Sequence, residues 1–172
     1  MSNAILITGA NRGIGLALTQ IYCERGDTVY ATCRQTTDEL NQTCANVIEN
    51  INVVEKDSIS SLKQHMQGIS IDVLINNAGI LKNESLDNMD FDAIEDQLGI
   101  NAIAPLRVTH ALLDNLHNGS KVGLITSRMG SIADNGSGAY YGYRMSKAAL
   151  NAAGKSLAND LNSRGISVAI LH

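Results

Sequence analysis

Tyr143 and Lys147 stand four residues apart in the stretch Tyr143-Arg144-Met145-Ser146-Lys147. The segment reads as helix, and residues four apart rise from one helical face. A phenol is a poor proton donor at neutral pH, with an ordinary pKa of about 10. An ammonium held beside it favours the phenolate and brings proton release toward the working range. Such a pair is suited to exchanging a proton with a substrate oxygen. Two other tyrosines stand close by: Tyr140 has Arg144 at the same spacing, and Tyr141 has Met145. A guanidinium also stabilises a phenolate, so spacing alone leaves Tyr140 and Tyr143 both open.

These groups need a scaffold, and its first piece lies at the N-terminus. Ala4-Ile5-Leu6-Ile7 is a short apolar run of buried-strand length. Thr8-Gly9-Ala10-Asn11-Arg12-Gly13-Ile14-Gly15 follows and opens an amphipathic helix. A strand, a glycine-rich turn and a helix N-terminus make an anion site, because glycine lets the backbone approach a phosphate while free N–H groups and the helix dipole point at it. The spacing is Gly-x-x-x-Gly-x-Gly rather than Gly-x-Gly-x-x-Gly.

Further apolar runs predict strands at 28–33, 51–54, 73–75, 122–126 and 168–171. Helical periodicity fills the gaps at 13–24, 38–47, 58–66, 90–116 and 141–162, with a break near Ala104 because of Pro105. Alternating strand and helix predicts an α/β fold of one domain over residues 1–172, a Rossmann-type doubly wound parallel sheet of six strands.

Five features recur along the chain in a telling order: the Gly9/Gly13/Gly15 turn, Asn76-Asn77-Ala78-Gly79, Asn101 with Pro105, Ser127 after the strand Val122–Thr126, and Tyr143 with Lys147. In this the chain resembles the short-chain dehydrogenase/reductases over essentially its whole length. The resemblance implies hydride transfer between a nicotinamide dinucleotide and a carbonyl or alcohol carbon. Tyr143 would be the proton donor and acceptor, a choice decided by the continuation Ser146-Lys147-Ala148-Ala149. Lys147 would tune it and bond the nicotinamide ribose. Ser127, rather than Ser131 or Ser137, would hold the substrate oxygen, and Asn101 would hold a water in relay with Lys147. The cofactor would lie along Gly9, Asn11, Arg12, Gly13, Ile14, Gly15, Asn77, Ala78 and Gly79, besides Tyr143 and Lys147. Two alignments put either Asn52 or Asp57 at the adenine, with Asn52 fitting the expected strand end better.

The second strand ends in Cys33-Arg34 with no carboxylate to bind a ribose 2′-hydroxyl. Arg34 and Arg12 instead suit a 2′-phosphate, so NADP(H) is expected over NAD(H). In the family, the helices corresponding to 90–116 and 141–162 often pack between subunits, which implies a homo-oligomer. Family members also continue past the sixth strand, so a C-terminally truncated chain is expected, with a bare strand edge at 168–171. A non-catalytic dinucleotide-binding or signalling protein of the same fold is the alternative.

Of the 172 residues, 44% are hydrophobic but only 3% aromatic, so the core must be built from Ile, Leu, Val and Ala. A net charge of -4 gives no basic footprint for nucleic acid. No apolar run approaches the ~20 residues that cross a bilayer. The expected location is cytoplasmic, with Cys23, Cys33 and Cys44 reduced. The His and Cys spacing suggests no metal.

Overall fold

The computed structural model describes residues 2–172. In strand β1 (Ala4–Thr8) the side chains alternate between two apolar layers. Leu6 packs with Leu74, Val122 and Leu124, while Ile5 and Ile7 pack with Val29, Ala31 and Ile75. Four consecutive apolar residues, Ala4 to Ile7, need helices on both faces. On the Ile5/Ile7 side these are α1 (Gly13–Glu24) and the short α2 (Asp38–Asn41), which contribute Leu16, Tyr22 and Leu40. On the Leu6 side α3 (Lys56–His65), α5 (Ala104–Ala111) and α6 (Tyr141–Asn162) contribute Ile59, Leu62, Val108 and Leu150. Helix α4 (Phe91–Leu98) runs into α5 through a π-turn, Gly99–Ile103.

The remaining strands are β2 (Thr28–Thr32), β3 (Asn46–Ile48), β4 (Ile71–Asn76), β5 (Leu116–Ile125) and β6 (Ser167–Leu171). All pair in parallel in the order β3-β2-β1-β4-β5-β6. The chain winds outward from β1 to β3, then crosses back to β4 on the other side. The loops leaving β1 and β4 therefore diverge, and a crevice opens at their carboxyl ends. The doubly wound sheet of six strands is the expected one, and β6 is its exposed edge, with Ile170 and Leu171 partly in solvent.

Several boundaries differ from expectation, each for a physical reason. The third strand is Asn46–Ile48, not 51–54. Asn50 takes a left-handed conformation (φ 60°) and turns the chain away after Ile51 N–H reaches the Cys33 carbonyl. Ile51 and Val53 are still buried, so their apolarity reports packing and not a ladder. The helix expected over 38–47 closes after one turn, capped by the Thr37 hydroxyl on Leu40 N–H. Beyond it Cys44 is joined to Cys23 of α1 as a disulfide, with Cα atoms 5.7 Å apart. The expectation of three reduced thiols is thus corrected: Cys33 alone is free among the described residues. The long helix over 90–116 breaks at the π-turn just before Pro105, which sits in the first turn of α5, and it ends at Ala111. Strand β5 starts at Leu116, the expected end of the long helix, rather than at 122.

Helix α6 buries Gly142, Ser146, Lys147, Leu150, Gly154 and Leu161, one stripe at helical spacing. Gly154 is required there, since a Cβ would stand 2.8 Å from a methyl of Leu124 and 2.9 Å from Ile170. This close seat brings the first turns of α6 to the mouth of the crevice.

Candidate active site

The crevice is a cleft of about 970 Å³. One end is walled by Gly9, Asn11, Arg12, Gly13 and Ile14 of the glycine turn with Cys33, Arg34 and Gln35 after β2. Asn77 through Leu81 form its floor after β4, and Tyr143, Lys147, Ile125 and Thr126 close the other end.

The glycine turn is built to receive an anion. No side chain caps α1 and its first turn holds no acid, so its leading N–H groups are not claimed by side chains. Gly13 has φ +56° and open space where a Cβ would stand. Gly15 serves packing: a Cβ there would lie 2.5 Å from the Asn77 amide nitrogen. That amide donates to the carbonyls of Thr8 (2.9 Å) and Gly9 (3.0 Å), while the Thr8 hydroxyl accepts the N–H groups of Asn77 and Ala78, both at 3.1 Å. The two diverging strand ends are thereby laced into one floor. Among the described residues Arg12 and Arg34 make no ion pair, so both guanidinium groups are free for a phosphate. These features fit a dinucleotide: N–H groups and room for the pyrophosphate, cations at the adenosine end, and a floor of backbone.

Tyr143 and Lys147 face the same cleft, and the Lys147 ammonium stands 5.6 Å from the Tyr143 ring centroid. Lys147 is only 4% exposed, and its Nζ donates to the Ile125 carbonyl at 2.7 Å. Burial lowers its pKa from 10.5 to about 8, because removing an ammonium from water disfavours the charged form. The Cys33 thiol, buried beside Arg34 at the opposite end, is pushed up by burial and then by the Glu49 carboxylate.

The other expected residues fall in different places. Asn101 is completely buried and does not line the cleft. Its side chain accepts from Ile80 N–H and donates to the Ile80 carbonyl, both at 2.8 Å, and also donates to the Ser146 hydroxyl at 3.0 Å. The π-turn delivers it inward to clasp the loop after β4. Ser127 lies outside the cleft wall at the start of a short 3-10 turn, where its Oγ accepts the Met129 N–H at 3.2 Å. Among the described residues its hydroxyl donates to no acceptor. Asn52 lines the cleft at the end that holds Arg34, whereas Asp57 sits in the first turn of α3, away from the wall. Tyr140 adopts φ 53° just before α6 and takes no part in the cleft.

Sequence reasoning missed Thr8, whose hydroxyl ties the floor, and the buried Glu84, Gln97 and Ser146. Gln97 and Asn101 carried a usable signal, two polar residues one turn apart on an otherwise apolar face. Glu84 carried none.

The short chain dehydrogenase family model matches residues 3–172, and the chain belongs to that family. It is 34% identical over 172 residues to the 1-hydroxy-2-glutathionyl-2-methyl-3-butene dehydrogenase of Rhodococcus sp. strain AD45, covering 99% of this chain and 76% of that protein. It is 47% identical over 105 residues to the C-signal protein of Myxococcus xanthus, covering 59% of this chain and 63% of that one. Among solved structures, the NADPH-bound carbonyl reductase from chicken fatty liver superposes with a TM-score of 0.83 at 28% identity, over 99% of this chain and 79% of that chain. Among the described residues no helix is long and apolar enough to cross a membrane, and no group of three metal-binding side chains occurs.

Proposed function

We propose that this oxidoreductase is a carbonyl reductase or alcohol dehydrogenase that uses NADP(H) in preference to NAD(H) on a small-molecule substrate. When bound, the nicotinamide supplies hydride to the carbonyl carbon or takes it from the alcohol. Reduction builds negative charge on the substrate oxygen, and the chain must meet that charge with a proton and with positioned donors. Tyr143 gives its phenolic proton to that oxygen and recovers it in the reverse direction. Lys147, held by the Ile125 carbonyl, sets a positive charge beside the phenol. Ser127 donates its hydroxyl proton to the same oxygen. Asn101 acts from behind, keeping the Ile80 segment and Ser146 in register, and Ser146 in turn donates to the Tyr143 carbonyl at 2.8 Å.

The carrying observation is that Tyr143 and Lys147 share a wall of the cleft whose far end bears two unpaired arginines. A protein that only bound the dinucleotide would not need Asn101, Ser127, Tyr143 and Lys147 together. Arg12 and Arg34 support the 2′-phosphate, and Asn52 supports the adenine. A homo-oligomer through the exposed apolar residues Ile103, Leu106 and Met145 belongs to the same proposal, and sedimentation velocity measures it.

The test follows NADPH absorbance with a panel of aldehydes and ketones. The native chain should oxidise NADPH, and Tyr143→Phe should bind it with similar affinity while losing at least ~100-fold in turnover. Saturable binding without oxidation by the native chain would favour the binding-only alternative, and full turnover by Tyr143→Phe would remove the assigned role.

A further inference from the structure

Glu84 is 1% exposed, yet no cation pairs with it among the described residues. A buried carboxylate is costly unless donors satisfy it. Its donors are the Gln97 side-chain amide, on Oε1, and the Gly142 backbone N–H, 3.2 Å from Oε2. Gly142 lies in the first turn of α6, where unpaired N–H groups and the helix dipole favour negative charge. The Glu84 backbone carbonyl also accepts the Tyr140 N–H at 2.8 Å. One residue thus grips both sides of the bend into α6, where Ala139 and Tyr140 hold positive φ without being glycine. Such a conformation persists only where its surroundings over-determine it.

The grip continues to the cofactor floor. Every second residue of the loop after β4 is pinned to the helix behind it: Ile80 by Asn101, Lys82 N–H by the Gln97 Oε1 at 2.8 Å, and Glu84 by the Gln97 amide. Gln97 and Asn101 are one turn apart, which matches the two-residue repeat of the segment they hold. Gly142 completes the dock, since a Cβ there would stand 2.9 Å from Ile94 Cα. Tyr143 is the next residue along.

We propose that Glu84 is the positioning residue for Tyr143: its carboxylate fixes the first turn of α6 against the loop that carries the cofactor floor, and so sets the reach of the phenol. This rests on the reading of Tyr143 as proton donor. The test uses the full chain with Glu84→Ala and Glu84→Gln. For Glu84→Ala the expected result is NADPH affinity within about threefold of native, cooperative unfolding, substrate KM within about threefold, and kcat lowered about 30-fold. Glu84→Gln keeps one acceptor oxygen for Gly142 N–H and should recover part of that loss, to within about tenfold of native. Hydrogen exchange at Arg144 N–H, which donates to the Tyr140 carbonyl across the first turn, should quicken at least tenfold in Glu84→Ala while β1 and β4 stay protected. Native kcat in Glu84→Ala, equal losses in affinity and turnover, or global unfolding of both variants would each overturn the proposal. If the native chain reduces no carbonyl, the catalytic reading fails on its own. Exchange at Arg144 then decides the role of Glu84: faster sustains the clamp, and unchanged ends it.

Discussion

Lys147 offers the sharpest quantitative test of the site, because its burial makes a signed prediction about stability. Its ammonium titrates near pH 8 in the folded chain against 10.5 when unperturbed. The unfolded chain therefore binds the proton more tightly, and folding carries a penalty that is complete below pH 8 and fades toward 10.5. From these two values the penalty is about 3 kcal/mol at pH 7 and about 2 kcal/mol at pH 9. Water in the open cleft screens part of the effect, so a gain of about 1 kcal/mol between those pH values is expected. The perturbation is Lys147→Met, which keeps all but the terminal atom of the side chain's length and removes the charge. Urea unfolding of both proteins at pH 7, 8 and 9, without cofactor, supplies the difference between them at each pH. Titrating groups distant from Lys147 cancel in that difference, and the double comparison in a Tyr143→Phe background removes the neighbouring phenol as well. Native protein should gain on the variant as pH rises. A difference that stays constant within ~0.3 kcal/mol, or that moves the other way, would refute the burial account of Lys147.

Three further outcomes follow from the same geometry. Gly15→Ala forces a Cβ onto the Gly9 carbonyl and the Asn77 amide, so dinucleotide binding measured by fluorescence should disappear and stability should fall by about 2 kcal/mol. Arg34→Ala removes one of two unpaired cations at the adenosine end, so the Kd for NADPH should rise about tenfold while that for NADH stays within about twofold. Reducing the Cys23–Cys44 bridge, which closes a sequence separation of 21 residues, should lower unfolding stability by about 3 kcal/mol; an unchanged urea midpoint in reductant would argue against the bridge.

Much of the site is legible in the order of residues along the chain. Tyr143 and Lys147 share a helical face because four residues make about one turn, and that holds wherever the helix docks. The glycine turn is equally local: strand, turn and helix are contiguous, so their order alone makes the anion cradle. β1 and β4 announce themselves by the consecutive apolar runs Ala4–Ile7 and Val73–Ile75, which only a sheet covered on both faces can accommodate. Boundaries are less secure where apolarity serves two causes, as at Ile51 and Val53, which are buried without being strand.

Residue types and short spacings by themselves determined the alternation of strand and helix, the glycine turn and the shared helical face of Tyr143 and Lys147, since each is a property of one element or of two joined directly. Only the tertiary structure decided which distant groups meet: Cys23 with Cys44, Asn101 with Ile80, Asn52 rather than Asp57 on the wall, and Glu84 with the first turn of the helix bearing Tyr143. Those meetings depend on how loops close, and loop closure has no periodicity for the chain to display. Even the titration of Lys147 belongs to this second kind, because its burial comes from packing that seats its ammonium against the Ile125 carbonyl of β5.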